Sequence, residues 1–413
     1  MTLRAYKVEL DPTCKQVKHL LQHAGAARWA FNFGLRRKHE VYAAWVADGK
    51  QGKCPTASAI DLHRELNILK RKSVADGGVP WMYETSKCAP QEALRNLDRA
   101  YSNFFRRCKR GAKRKGFPRF KSRKRGIGSF TLTGSIVVTD RVIQLPRLGK
   151  LRLKERDYLP VAGVRILKAT LSERAGRWFV ALQGEQDPVV VKSPDHTLGV
   201  DVGINSLAVT SDGEVFDNPK ALKRAEQRLR LVQKAVSRKR KGSRNRKKAA
   251  QRLGCLHYRV ACIRRDAIHK ATTAISKQAS VVVIESLNVG GMMKNHCLAR
   301  ALGDTGLSEF HRQIKYKVKM RAGEVVEADR FYPSSKTCSG CGTVTAALAL
   351  SEREYVCEKC GLRIDRDLNA ALNLKLLAGS FPVSACRPGG SGPSRETRTK
   401  LLVGQEPNRK VQA

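Results

Sequence analysis

The chain has 413 residues, 41% of them hydrophobic, and carries 80 lysines and arginines against 36 aspartates and glutamates, a formal net charge of +44. That length and apolar share support a large buried core and two to four domains, and exclude a wholly disordered chain. No uncharged apolar run is long enough to span a membrane, and "MTLRAYKVELD" is charged too early for a secretory signal, so a cytoplasmic, nucleoid-associated protein is expected.

Residues 3–10, "LRAYKVEL", alternate polar and apolar and predict a strand. From Thr13 to about Ala47 the pattern turns helical around Leu20, Leu21, Trp29, Phe31 and Leu35. A second helical block starts at Ala89, with Leu94, Leu97, Tyr101 and Phe105 on one stripe, and breaks at Gly116 and Pro118. Between Phe130 and Glu185 the period becomes two: "FTLTGSIVVTDRVIQL", "KLRLK", "VRILKATLSE" and "RWFVALQGE" predict a small antiparallel barrel or sandwich. The first strand and these segments (1–12 and 118–190) then form one β-barrel domain, interrupted by a helical domain (13–117).

A composition shift at 187–196 marks a linker. "TLGVDVGINSLAVTSDGEVF" predicts a β-hairpin turning at Ser211-Asp212-Gly213, and Asn218-Pro219 predicts a helix start, cap followed by proline. The helix carries Leu222, Ala225, Leu229, Val232 and Val236 on one stripe, and "KRKGSRNRKK" turns it back into a second long helix. "ASVVVIESLNV" predicts a buried strand ending at Glu285, followed by a Gly/Met loop, a helix near 307–321 and a strand "EVVEADRF". His296 and Cys297 in that loop have no matching partners nearby and are incidental; the loop is either a gate over a site or an ordinary connection. From Gly379 onward Gly, Pro, Ser and charge predict a disordered tail (379–413).

Eight of the twelve cysteines are scattered without rhythm, as in a reducing compartment. The other four form "CSGCG" and "CEKCG": Cys338, Cys341, Cys357 and Cys360. Each C-x-x-C makes a knuckle aiming two thiolates at one ion, glycine after the second cysteine permits the turn, and two knuckles complete a tetrahedral zinc site. All four positions are filled by protein, which marks the zinc as structural, in a ribbon insert spanning 335–361.

Asp201 interrupts an apolar strand, Glu285 ends another, and Asp365 and Asp367 precede the apolar helix "LNAALNL". A carboxylate in an apolar strand is costly unless paired or bound to a cation. Taken alone, Asp365 or Asp367 has an ordinary explanation as a helix cap and Glu285 as a rim residue; Asp201 fits such a reading less well, because it interrupts an apolar strand. Their order, strand, strand, helix, suits a ribonuclease H-like α/β domain (197–334 and 362–378) in which converging carboxylates hold two divalent ions, with Mg²⁺ favoured by hard oxygen ligands.

"GVDVGINSLAV", "VVVIESLNV" and "DRDLNAALNL", with a four-cysteine insert before the last, resemble the three RuvC motifs of the TnpB (OrfB) family of transposon-associated nucleases related to type V CRISPR effectors. "ALRNLDRAYSNFFRRCKRGAKRKGFPRFK" resembles the same family's helical block, and the likeness spans about residues 3–375. The resemblance implies an RNA-guided DNA endonuclease that is monomeric per RNA. Its guide RNA derives from the end of its mobile element, and it cuts both strands of target double-stranded DNA beside a short flanking motif. Asp201, Glu285 and Asp367 match the family's catalytic, magnesium-holding acids, with Asn369 following; Asp365 is then a helix cap or a group supporting the ligands from behind.

Two surfaces are dense in basic residues. One holds Arg106, Arg107, Lys109, Arg110, Lys113, Arg114, Lys115, Arg119 and Lys121, with Phe117 and Phe120 able to stack on bases or simply to pack. The other holds Arg224, Arg228, Arg238, Lys239, Arg240, Lys241 and Arg244, with Glu226 nearly alone among them. Self-repulsion of this density is relieved by phosphates, so nucleic acid is the expected partner of both, with the assignment of RNA and DNA between them open. Two rival functions have sequence tests. A single-strand transposase would want a His-apolar-His pair with a nucleophilic tyrosine, and no such pair occurs. A non-cutting RNA-guided regulator would be expected to have lost one of the three acids.

Overall fold

The computed structural model describes residues 2–159, 163–187, 191–346, 348–349 and 352–379. Strand β1 (Thr2–Asp11) leads into α1 (Cys14–Ala47), which opens on a reciprocal cap between Thr13 and Gln16. Helices α2 (Ala59–Arg71) and α3 (Cys88–Lys109) follow, then β2 (Ser129–Leu132), β3 (Val137–Val138), β4 (Val142–Leu145), β5 (Gly149–Leu153), β6 (Val164–Arg174) and β7 (Arg177–Gln186). These strands form one antiparallel sheet in the order β2-β6-β7-β1-β5-β4-β3. The first strand lies in its middle, between β7 and β5, so the sheet cannot form without the N-terminus. Leu20, Leu35, Leu94 and Leu97 of the helices share one buried core with Leu132, Ile143, Leu151 and Val180 of the sheet.

The expected barrel is an open sheet. Its order ends on β2 and the two-residue β3, and no ladder joins them among the described residues. Helix α3 covers the β2 end instead, where the Cys88 thiol donates to the Thr133 carbonyl, and an edge covered by a helix needs no closure.

The second half forms β8 (Thr197–Asp201), β9 (Ser206–Thr210), β10 (Val215–Asp217), α4 (Ala221–Ser237), α5 (Arg244–Gln278), β11 (Val281–Glu285), α6 (Val289–Met292), α7 (Ala299–Thr305), α8 (Leu307–Met320), β12 (Glu324–Ala328), β13 (Glu354–Val356), β14 (Arg363–Asp365) and α9 (Arg366–Gly379). The five-stranded sheet runs β10-β9-β8-β11-β12, antiparallel through its first three strands and parallel from β8 to β12. The predicted hairpin is therefore a three-strand meander. It turns at Ser211-Asp212-Gly213 as expected, and also at Val202–Asn205, where the strand breaks directly after Asp201.

Alternation sorts the side chains of β8 and β11 between two helical layers. Leu198, Val200, Val282 and Ile284 pack with Ile268 and Ile275 of α5 and with Phe310 and Ile314 of α8. The opposite face is closed by α9, where Val283 packs with Leu374. The buried residues of α9 are Asn369, Ala370, Ala371, Asn373 and Leu374, whereas Leu376 is 60% exposed. A small-residue face is required because backbone meets backbone: a Cβ on Gly199 would lie 2.0 Å from the Ala371 carbonyl oxygen and 2.6 Å from the Lys375 nitrogen. Gly199→Ala is expected to cost on the order of 3 kcal/mol or more, a fall of roughly 10 °C in Tm. Gly254→Ala, which points into open space on α5, serves as the control and should leave Tm unchanged or higher. Equal melting of the two variants would contradict this packing.

Asn218 does not cap α4. It donates to the Ile204 carbonyl at 2.6 Å and to the Thr305 hydroxyl at 3.1 Å, and the helix starts two residues later than expected. The free amides of Leu222 and Lys223 are bonded by the carboxylate of Asp304, 5% exposed and paired to Arg264 at 2.8 Å. The cap comes from a residue remote in sequence, so no local pattern encodes it. No described helix is long and apolar enough to cross a membrane. The expected tail lies outside the described residues beyond Gly379, which ends α9; of the expected linker, residues 188–190 also lie outside them.

Candidate active site and nucleic-acid interface

Asp201 stands at the end of β8, two residues beyond Gly199, so both face the layer occupied by α9. Glu285 stands at the end of β11, two beyond Val283, on the same face. The parallel register pairs Val200 with Ile284, which brings Asp201 and Glu285 into line one step further on, about one strand spacing apart. Helix α9 lies across this face and carries Asp367 in its first turn. Three acids remote in sequence are thus brought to the carboxyl ends of parallel strands, near enough for Glu285 and Asp367 to act on the charge of Asp201, where open α/β sheets place their ligands.

The electrostatics agree with that convergence. Asp201 keeps some exposed surface, but protein packed around its carboxyl, then the charges of Glu285 and Asp367, push its pKa up to about 8. Burial and the neighbouring Asp365 also raise Asp367, against the pull of Arg353 and Arg366. Like charges held this close are what a divalent cation relieves.

Asp365 does something different from Asp367. Its Oδ1 accepts the amide hydrogens of Asp367 at 2.9 Å and Leu368 at 3.0 Å, which makes it the N-terminal cap of α9. The pair seen in "IDRDLN" therefore divides into a cap and a half-buried carboxylate whose charge acts on Asp201.

The cysteine module forms the single group of three or more metal-ligating side chains, among the described residues, whose ligand atoms all lie within 4.8 Å of one another. Cys338 and Cys360 sulfurs are 3.6 Å apart, as are those of Cys341 and Cys357. Thiolates around zinc at about 2.3 Å stand roughly 3.8 Å apart in a tetrahedron, so the cluster fits that ion. Gly342 and Gly361, after each pair, sit at φ +73° and +72°, the left-handed turn expected there. Contacts with the hydroxyl and backbone of Thr343 lower the Cys341 pKa, while the neighbouring sulfurs raise that of Cys360, so the four thiols share their ionisation as one crowded set.

Three polar residues near the acids went unread in the sequence. Ser334, in the loop after β12, donates its hydroxyl to Glu285 Oε1. Arg353, from the cysteine insert, lies beside Asp367 and donates to the Asn205 carboxamide oxygen, oriented toward it, at 2.5–3.2 Å. Asn373 is buried on α9. Nothing local marks Ser334 or Arg353; Asn369 and Asn373, four apart on an apolar helix, were the available signal.

The basic residues divide by element. Arg106, Arg107 and Lys109 line the end of α3, Arg110 follows it, and Lys113, Arg114, Lys115 and Arg119 lie on the exposed loop beyond. Lys121 is engaged already: its ammonium sits 3.9 Å from the centre of the Phe31 ring, and its backbone is paired with Asn32 on both sides. Phe117 packs edge-on against Tyr101 and Phe104, and Phe120 against His39, while each stays about half exposed (46% and 50%). Arg224, Arg228, Arg238, Lys239, Arg240, Lys241 and Arg244 are all exposed on the α4–α5 hairpin. Its turn is fixed by Arg246, which donates to the carbonyls of Val236 and Lys239. Glu226 is paired to Arg230 and to Arg300 of α7.

Fold and site together define a mixed α/β protein with an acidic cluster at the carboxyl edge of its parallel strands and a four-cysteine insert. The family model OrfB_IS605, described as a probable transposase, matches residues 169–296. The Cas12f1-like TNB domain matches 308–374, and a helix-turn-helix domain of the OrfB group matches 1–45, which here form β1 and most of α1. The chain is 35% identical to "Putative RNA-guided DNA endonuclease" of Streptomyces pristinaespiralis, over 98% of this chain and 96% of the relative. It is 31% identical to "Putative RNA-guided DNA endonuclease InsQ" of Escherichia coli (strain K12), over 100% and 99%. Among solved structures it matches "Structure of the mini-RNA-guided endonuclease CRISPR-Cas_phi3" at 9% identity and TM-score 0.48, over 93% of this chain and 94% of that one. The chain belongs to the TnpB (OrfB) family.

Proposed function

We propose that this protein is an RNA-guided endonuclease that cleaves double-stranded DNA beside a short flanking motif. The carrying observation is the shared face of Asp201 and Glu285, with Asp367 laid across it by α9. In this reading the strand order β10-β9-β8-β11-β12 is a ribonuclease H-like core, and its three acids hold two Mg²⁺ ions. When bound, such ions polarise the scissile phosphodiester and make water a competent nucleophile.

The chain's own residues do the rest. Ser334 fixes the Glu285 carboxylate, and Asp365 fixes the start of the helix that presents Asp367. Arg353 and Arg366 supply positive charge where a phosphate would enter. The zinc ribbon, 335–361, is a structural insert between two catalytic segments. The α4–α5 hairpin and the loop beyond α3 hold nucleic-acid backbones, while the N-terminal sheet and helices hold the guide–target duplex and read the flanking motif.

The deciding experiment purifies the protein with RNA expressed from its own locus, sequences the RNA that stays bound, and supplies DNA matched to it. Cleavage in Mg²⁺ and none in EDTA is expected. Absence of bound RNA would overturn guidance, and bound RNA with matched DNA that stays uncut would leave a binding regulator.

A further inference from the structure

Buried polar side chains on a packing helix need a reason. Asparagine is a weak helix former, and burying its carboxamide is unfavourable unless every polar atom is bonded. Yet α9 buries Asn369 and Asn373, 0% and 1% exposed, beside Ala370, Ala371 and Leu374. Both reach the segment that enters the first cysteine knuckle. Asn369 donates to the Thr337 carbonyl at 2.7 Å and accepts the Ser339 amide at 3.0 Å. Asn373 donates to Thr337 at 2.6 Å and to the Ser334 carbonyl at 2.7 Å. Thr337 and Ser339 flank Cys338, so the knuckle is tied directly to the helix that presents Asp367.

The same segment carries the contact with Glu285. Ser334 is 2% exposed; its carbonyl is held by Asn373 and its hydroxyl donates to Glu285 Oε1. One continuous set of bonds thus runs from the knuckle through α9 and Ser334 to the carboxylate of Glu285. Two leucines in place of the asparagines would bury more apolar surface and would leave the path of residues 334–339 unspecified.

We propose that Ser334 and Asn373 are positioning residues, which transmit the fixed geometry of the cysteine knuckle to Glu285 and set the affinity of the carboxylate site for divalent cations. This rests on the reading of Asp201, Glu285 and Asp367 as the set that holds those cations. Groups that orient a metal-binding carboxylate change metal affinity when removed, whereas a merely structural contact changes melting alone.

The test uses the protein–RNA complex without DNA. Mn²⁺ binding is followed by electron paramagnetic resonance in wild type, Ser334→Ala, Asn373→Ala and Ser334→Thr. Zinc content is measured on each sample, and the Mg²⁺ concentration for half-maximal cleavage is measured separately. Both alanine variants should bind Mn²⁺ about 10-fold more weakly, with a matching shift in the Mg²⁺ midpoint, unchanged zinc and unchanged RNA retention. Ser334→Thr, which keeps the hydroxyl, should stay near wild type. Mn²⁺ affinity that is unchanged in Ser334→Ala, or that falls only as zinc is lost, overturns the inference; Ser334→Ala decides alone if Asn373→Ala does not fold. Equal Mn²⁺ binding by wild type and Asp201→Asn would overturn the carboxylate site itself, and this proposal with it.

Discussion

Asp201→Asn should abolish cleavage of guide-matched DNA, by at least roughly 10³-fold, while target binding stays within about a factor of two, because the basic hairpin and the α3 loop are untouched. The same change should stabilise the metal-free protein. Asp201 is squeezed by burial and by Glu285 and Asp367, so its folded pKa, about 8, lies well above its ordinary value. For a raised acid, the stability supplied by the proton is fully present below the unfolded pKa and is lost as pH rises through the folded one. Metal-free wild type should therefore weaken between about pH 4 and pH 8, whereas asparagine carries no charge to lose. The gain near pH 8 is on the order of 1–4 kcal/mol, or roughly 2–4 °C of Tm per kcal/mol. Melting curves across pH in EDTA, with cleavage and filter-binding assays, check both halves. Retained cleavage would remove Asp201 from the site; retained binding with no stabilisation would mean that the acids are not crowded.

Cys357→Ser should have the second large effect. The ribbon's own core is Cys338, Tyr355 and Cys357 with partly buried Leu348, Leu362 and Ile364, far too little to fold unaided. Structural zinc contributes roughly 10–16 kcal/mol in isolated fingers of this type, so losing one of four thiolates removes most of the ribbon's stability. Zinc should fall from one per chain to near none, proteolysis should open residues 335–361, and cleavage should disappear because α9 loses the anchor at Thr337 and Ser339. Full zinc content in the serine variant would overturn the four-thiolate assignment.

Much of this was legible because it is encoded locally. The β1 alternation, the stripe of α1 and α3, and the twin C-x-x-C-G pattern each define an element within a few residues. Helix α2 leaves only a faint sequence signal, although Ser58 and Asp61 form a reciprocal cap. Its buried Leu62 and Leu66 are blurred by Ile60 and Ile68, which point outward at 66% and 58% exposure. The Asp304 cap of α4 and the Ser334 contact with Glu285 escaped for a different reason: each joins residues more than forty positions apart that no local pattern connects. The open sheet differs from the expected barrel because alternation reports strands and not whether the two end strands meet.

The contact between Gly199 and Ala371 also sets a timetable. Synthesis delivers domains from the N-terminus at about 5–20 residues per second, so Asp201 waits roughly 10–30 s for Asp367 to be made. In the later part of that interval, once β11 has been made, the face beside Asp201 and Glu285 still lacks its covering helix, while the basic α4–α5 hairpin is already complete. A growing chain can gather a polyanion before it owns a complete set of acids. Assembly of the carboxylate cluster is therefore among the last events in making this molecule.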